Sequence, residues 1–243
     1  MNIHKQKLAP GITFVGVPIG TARDITLRAL DVLASADMLA AEDTRSLLKL
    51  MDIHGIPLDG RKITALHDHS GEGAVTRLIK AVQDGKSVAY ASEAGMPLIA
   101  DPGFELSRAA AAAGIGVTCA PGPSAVLTAL ALGGLPTDAF YFAGFLPSSK
   151  AARLTALEGL RDVRATLVFY EEFYGSNTPK GEIVVLVDRG DLETVNSDDL
   201  ESSLKAALEE LSMRDAVDLV AKAHALPRRQ VYQAALELNT QKD

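Results

Sequence analysis

Residue type and spacing single out two polar clusters. Ala41-Glu42-Asp43-Thr44-Arg45 places two carboxylates and a guanidinium within four residues, just after the short stretch Asp37 to Ala41. His67-Asp68-His69 follows a second stretch, Lys62 to Leu66. A carboxylate or imidazole accepts a proton, and a cation stabilises a developing anion. Glu42, Asp43, Arg45 and His67 are therefore the candidate catalytic groups. The simpler readings stand beside this one. Asp43 or Thr44 would cap a helix, and a histidine in a loop is usually just solvated.

Two Gly/Pro-rich turns would bring a ligand to such groups. Gly16-Val17-Pro18-Ile19-Gly20 follows the apolar run Ile12 to Val15. Ser92-Glu93-Ala94-Gly95-Met96-Pro97-Leu98-Ile99-Ala100-Asp101-Pro102-Gly103 follows Ser87-Val88-Ala89-Tyr90-Ala91. Glycine lacks a Cβ and proline fixes φ, so such turns permit close approach to a bound molecule. At the carboxyl ends of strands they mark the ligand edge of an open α/β sheet. Ser124, after Pro121-Gly122-Pro123, reads as a helix N-cap whose helix start also suits a ligand carboxylate.

The elements needed to hold these turns are legible. Strands are expected at 12–17, 37–41, 62–66, 87–91 and 116–120, and helices at 26–35, 45–54, 73–84, 102–113 and 124–132. Alternating strands and helices predict a parallel sheet covered on both faces. Gly133-Gly134-Leu135-Pro136-Thr137-Asp138 reads as a linker. Eight of the twelve aromatics then fall between 140 and 174. They mark a second core, with strands near 140–145, 165–170 and 182–187 and a helix near 150–161. Helices at 198–212 and 213–239 follow, the latter broken at Leu226-Pro227 in the manner of a helix-turn-helix. The expected division is 8–136 and 139–190, both α/β, with a helical module at 198–243.

Composition narrows the class. The chain has 243 residues, 47% hydrophobic and 23% charged, which suits a soluble globular protein. No apolar run reaches the roughly 20 residues of a membrane span, and the polar start Met1 to Lys7 lacks a signal-peptide core. A cytoplasmic protein is expected. The single Cys119 excludes an internal disulfide framework, and no metal-binding motif is present. The net charge is −7, but residues 188–210 alone carry eight acids and two bases. The remainder is near neutral and leaves room for a local basic face.

Seven segments occur in the order of one family. They are Gly16 to Gly20, Asp24-Ile25-Thr26-Leu27-Arg28-Ala29, Ala41 to Arg45, Ser92 to Gly103, Pro121 to Ala125, Gly134 to Asp138, and Gly144-Phe145-Leu146-Pro147. The chain resembles the bacterial 16S rRNA cytidine 2′-O-ribose methyltransferases of the tetrapyrrole-methylase superfamily. The resemblance is close over roughly 11–171 and resumes at Lys180-Gly181-Glu182-Ile183-Val184 and at Leu226-Pro227-Arg228-Arg229. It implies a homodimer, S-adenosyl-L-methionine held between two α/β domains, and methyl transfer to a ribose in the decoding region of 16S rRNA in the small ribosomal subunit. No membrane or metal is implied. The implied cofactor contacts are Pro18, Glu93, Ala94, Gly95, Met96, Pro97, Leu98, Ile99, Ser124 and Ala125. Ala143, Gly144 and Gly181 would close the site from the far side. Arg23, Arg28 and Arg45 would meet RNA phosphates. The alternatives are a methyltransferase of the same fold acting on a small molecule such as a tetrapyrrole, and a non-catalytic nucleotide-binding paralogue.

The chain departs from the family at Thr21, Glu93 and Met96, where Asn, Asp and Thr are usual. Met96 in particular would lose a hydrogen bond. A larger departure lies near Glu171-Glu172, where the family carries a long segment. A core of about fifty residues with eight aromatics has little chain to cover itself. Further residues are therefore expected at this junction.

Overall fold

A computed structural model describes residues 3–67, 72–172, 181–189, 197–224, 226 and 228–240. The chain divides into two compact units, Met1–Asp188 and Arg189–Asp243.

The first unit begins with five parallel strands: β1 (Gly11–Val15), β2 (Met38–Ala41), β3 (Ile63–Ala65), β4 (Ser87–Ala91) and β5 (Val117–Ala120). Their order is β3-β2-β4-β1-β5. The helices between them are α1 (Leu27–Ser35), α2 (Thr44–Ile53), α3 (Glu72–Gln83) and α4 (Phe104–Ala112). Period-two alternation splits the strand residues between two cores. Val15, Leu39, Ala89 and Ala91 pack with Leu30 and Leu33 of α1 and Met51 of α2. Ile12, Phe14, Val88 and Tyr90 pack with Leu78 of α3 and Leu106 of α4. The sheet is thus covered on both faces, as the alternation of elements predicts. The chain leaves β1 over one face toward β2 and leaves β4 over the other toward β5. The crevice at the carboxyl ends of β1 and β4 is therefore a topological switch point.

Polar clasps fix the sheet's two ends. At the amino end, the Ser87 hydroxyl and backbone N–H donate to the Asp37 carboxylate at 2.7 and 2.8 Å. Those bonds hold that carboxyl below its usual range. At the carboxyl end, the fully buried Tyr90 sets its hydroxyl 3.1 Å from the Pro102 carbonyl and 3.3 Å from that of Leu66. Arg61 closes the end of α1, donating to the Leu33 and Ala36 carbonyls at 2.8 and 2.9 Å.

After α5 (Ala125–Leu132) the same unit builds a three-stranded sheet in the order β6-β7-β8. Its strands are β6 (Phe140–Phe145), β7 (Thr166–Glu172) and β8 (Glu182–Val187), with α6 (Lys150–Leu160) between the first two. Val126 and Leu130 of α5 pack with Val168, Val184 and Leu186. At the 171–172 junction, where further residues are expected, β7 reaches its end. The sequence is continuous, and β7 pairs antiparallel with β8 in unbroken register from Leu167↔Val187 to Glu172↔Glu182. Phe173 and Tyr174 lie outside the described residues.

The second unit holds α7 (Ser197–Glu210), α8 (Met213–Ala223) and α9 (Arg228–Thr240). Leu204, Val217, Val220, Leu226, Val231 and Ala235 form its core. Ser212 caps α8 by accepting from the Asp215 N–H.

Candidate functional site

The site starts from two glycines that touch. A Cβ on Gly16 would lie 2.6 Å from the Gly122 nitrogen, and one on Gly122 would lie 2.9 Å from Gly16 backbone. Only glycine lets the turns after β1 and β5 approach this closely. Val17 N–H donates to the Gly95 carbonyl at 2.9 Å, which ties the loop after β4 to the same point. The sulfur of Met96 accepts the Gly122 N–H at 3.3 Å. The loss expected from a thioether at this position is therefore corrected: sulfur is a weak acceptor, yet it satisfies this amide.

The loop after β4 is also strained. Leu98 and Ala100 have φ of 70° and 60° although neither is glycine. Such residues persist where the surrounding structure over-determines them, commonly at ligand sites. They turn the chain so that Ile99 and Asp101 both face the cavity beside this loop.

That cavity has a volume of about 510 Å³, within the range of small-molecule sites. The first sheet supplies Ile19, Glu42, the run Glu93 to Met96, Ile99 and Asp101. Ser124 and Ala125 open α5, and Tyr170 and Gly181 to Val184 form the opposite wall. Among the described residues four acids, Glu42, Glu93, Asp101 and Glu182, line it with no basic side chain. Glu42 accepts the Glu93 N–H at 3.0 Å. The Asp101 carboxyl is pushed up to about 7, first by burial and then by the negative charge of Glu42, with smaller contributions from Glu182 and Glu93. A hydrogen bond with Ser92 opposes the rise. Burial, followed by the charge of Asp101, also raises the Tyr170 phenol. Such a chamber favours a cation.

The structure separates the expected residues into groups. Glu93, Ala94, Gly95, Met96, Ile99, Ser124, Ala125 and Gly181 stand on the wall, and Glu42 stands there with them. Pro97 and Leu98 do not, because the positive-φ turn directs Leu98 into the core around Tyr90. Ala143 and Gly144 are also absent from the wall. They sit where β6 shifts register, with β7 between them and β8, so β8 and Tyr170 close the site. Pro18 lines a separate, smaller cavity. Asp43 caps α2, accepting from the Arg45 and Ser46 N–H groups, and also binds the Arg45 guanidinium at 2.9 Å. These bonds, the guanidinium first, hold its carboxyl down at about 2. Arg45 is 90% exposed and lines neither cavity. His67 is exposed beyond β3, an edge strand, and lines neither cavity. Asp68 and His69 lie outside the described residues. Arg23 and Arg28 are exposed, on the 3-10 turn Ala22–Asp24 and on α1.

Asp101, Tyr170 and Glu182 were not singled out by sequence reasoning. Asp101 had a usable signal, as the one acid in the second half of a loop already marked by glycine and proline. Tyr170 read as core, and Glu182 as an ordinary strand terminus. Among the described residues no group of three or more His, Cys, Asp or Glu is arranged to hold a metal, and no helix is long and apolar enough to cross a membrane.

Comparison with known proteins adds an independent line. The family model of tetrapyrrole (corrin/porphyrin) methylases matches residues 11–195, and that of the RsmI C-terminal HTH domain matches 194–239. A ribosomal RNA small subunit methyltransferase I from Mesorhizobium japonicum is 37% identical over 282 aligned positions, covering 98% of this chain and 95% of the relative. Its counterpart from Vibrio cholerae is 35% identical, covering 94% and 95%. The first alignment exceeds the chain's own length, so that relative carries about 40 residues without a counterpart here. A crystal structure of diphthine synthase shares the fold at 15% identity, with a TM-score of 0.52 over 84% of this chain and 73% of that one.

Proposed function

Because the chain belongs to the tetrapyrrole (corrin/porphyrin) methylase family, on the branch of the ribosomal RNA small subunit methyltransferases I, we propose that it uses S-adenosyl-L-methionine to methylate the 2′-hydroxyl of a cytidine in the decoding region of 16S rRNA. The observation that carries the reading is the acid-lined cavity at the switch point of the parallel sheet.

The cavity suits such a donor on three counts. The donor is a sulfonium and an ammonium joined to one carboxylate, hence a net cation, and Glu42, Glu93, Asp101 and Glu182 provide a matching negative potential. Gly95, at φ 71°, gives backbone access without a side chain. The first-turn amides of α5 at Ser124 and Ala125 suit the single carboxylate. When bound, the donor supplies an electrophilic methyl group. The protein's own task is alignment, since in-line displacement depends on a near-attack geometry. Touching glycines, a strained loop and buried clasps hold the wall rigid for that purpose. Glu42, fixed by the Glu93 N–H, is the candidate acceptor of the hydroxyl proton. Asp43 and Arg45 act one step away, setting the start of α2 beside Glu42.

The test is incubation of the purified chain with radiolabelled donor and undermethylated small ribosomal subunits, followed by mapping of the labelled ribose. The expected result is one labelled cytidine 2′-O position in 16S rRNA. Donor binding without any rRNA label would refute the substrate assignment. The homodimer reading rests on the family resemblance and the cytoplasmic reading on composition, and sedimentation checks the former.

A further inference from the structure

We infer that the smaller cavity, between α2 and the turn after β1, is the slot that receives the base of the acceptor nucleotide. The inference rests on the rRNA methyltransferase reading above and names the acceptor subsite within it.

The cavity has a volume of about 210 Å³ and is lined by Val17, Pro18, Gly20 and Ala22 on one side and by Ser46, Leu47, Lys49, Leu50 and Ile53 of α2 on the other. Ser92 and Glu93 complete it. Glu93 also lines the larger cavity, so the two chambers meet at one side chain. An acceptor must lie within bonding reach of the donor's methyl group, and a second chamber sharing a wall residue with the first meets that requirement.

The lining indicates the chemistry. The volume suits a single heterocycle, not a second copy of the donor. Val17, Pro18, Leu50 and Ile53 supply apolar faces, and Ser46 supplies a hydroxyl. An extruded base is held between apolar surfaces and read at its polar edge by hydrogen bonds in enzymes that work on bases, and the same contacts would hold a base while its ribose faces the donor. The charge pattern supports a nucleotide within a chain. Among the described residues the charged groups lining the larger cavity are all acids, whereas Lys49 lines the smaller one and Arg23 adjoins it beside Ala22. Both cations are exposed and without a carboxylate partner among the described residues. A base in the slot would bring its flanking phosphates to that side. His54 makes the slot's wall firm: its Nε2 lies 2.8 Å from the Ala22 carbonyl, tying the 3-10 turn to the end of α2.

The experiment compares the full-length chain with Ser46→Leu and Lys49→Ala. Donor affinity is read by calorimetry, and kcat and KM are read with undermethylated small subunits. Ser46→Leu fills the slot, and methyl transfer is expected to fall at least tenfold while donor affinity stays within twofold. Lys49→Ala alters an exposed helix position and preserves the fold. It is expected to raise KM several-fold with kcat little changed, and to reduce the salt slope of KM by about one. A Ser46→Leu chain that binds donor and methylates at the wild-type rate overturns the slot. So does an unchanged KM and salt slope for Lys49→Ala, whether or not Ser46→Leu folds. A wild-type chain that binds donor but methylates no rRNA overturns the functional reading itself, and is distinguished by failing before any variant is made.

Discussion

Asp101 concentrates the conflict between stability and function in one side chain. Its carboxyl is raised to about 7 by burial and by Glu42. In the unfolded chain it would ionise near the usual carboxylate value. Between about pH 4 and pH 7 the folded state therefore binds more protons, and this group's contribution makes stability fall as pH rises through that window. A cationic donor favours the ionised form and reverses the preference. Two outcomes are expected. Donor affinity of the wild-type chain tightens from pH 6 to pH 8, and calorimetry on Asp101→Asn shows weaker binding without that dependence. Without donor at pH 8, Asp101→Asn melts at a higher temperature than the wild-type chain. Asp43 has the opposite sign. Its lowered carboxyl favours the folded state above the usual carboxylate range, and that contribution is lost as pH falls toward about 2.

The turns, more than the helices, carry the precision of the site. Gly16 and Gly122 are in backbone contact, so Gly16→Ala has no empty space to enter. Overpacking of this kind costs about 1–3 kcal/mol, and here it also separates the β1 and β5 turns that frame the cavity. Gly16→Ala is expected to lose stability by that amount in urea titration and to weaken donor binding. Gly20→Ala, where a Cβ meets nothing within 4 Å, is expected to leave stability nearly unchanged. The end of α1 offers a second test. Arg61 satisfies the Leu33 and Ala36 carbonyls. Leaving buried acceptors unpaired costs roughly 1–3 kcal/mol, so Arg61→Ala should lower the denaturation midpoint accordingly.

At the scale of the molecule, the chain divides into two compact units. The acid-lined cavity belongs wholly to Met1–Asp188, and the helical unit has its own core around Leu204, Val217 and Val231. Leu204 is fully buried, and Leu→Ala at such a site costs about 2–5 kcal/mol. Leu204→Ala is expected to lower the unfolding transition of the helical unit while donor affinity stays within twofold. Hydrogen exchange resolved by segment, combined with calorimetry, checks both.

The sequence by itself determined the local structure and the family. Short apolar runs placed the strands of the first sheet to within two residues, because parallel strands covered on both faces are apolar along their length. Asp43, Ser124 and Gly85 announced helix ends, because capping is a contact between near neighbours. What only the tertiary structure decided was which polar groups meet. The strand order inserts β4 between β2 and β1, and this brings Glu42 beside Glu93. Arg45, three residues from Glu42, lines neither cavity, because α2 begins between them. The pairing of β7 with β8 brings Tyr170 and Glu182 across from Asp101. A raised carboxyl and an acid-lined cavity arise from charges distant in sequence and close in space. Electrostatic energy depends on that separation and on burial, and neither is encoded locally.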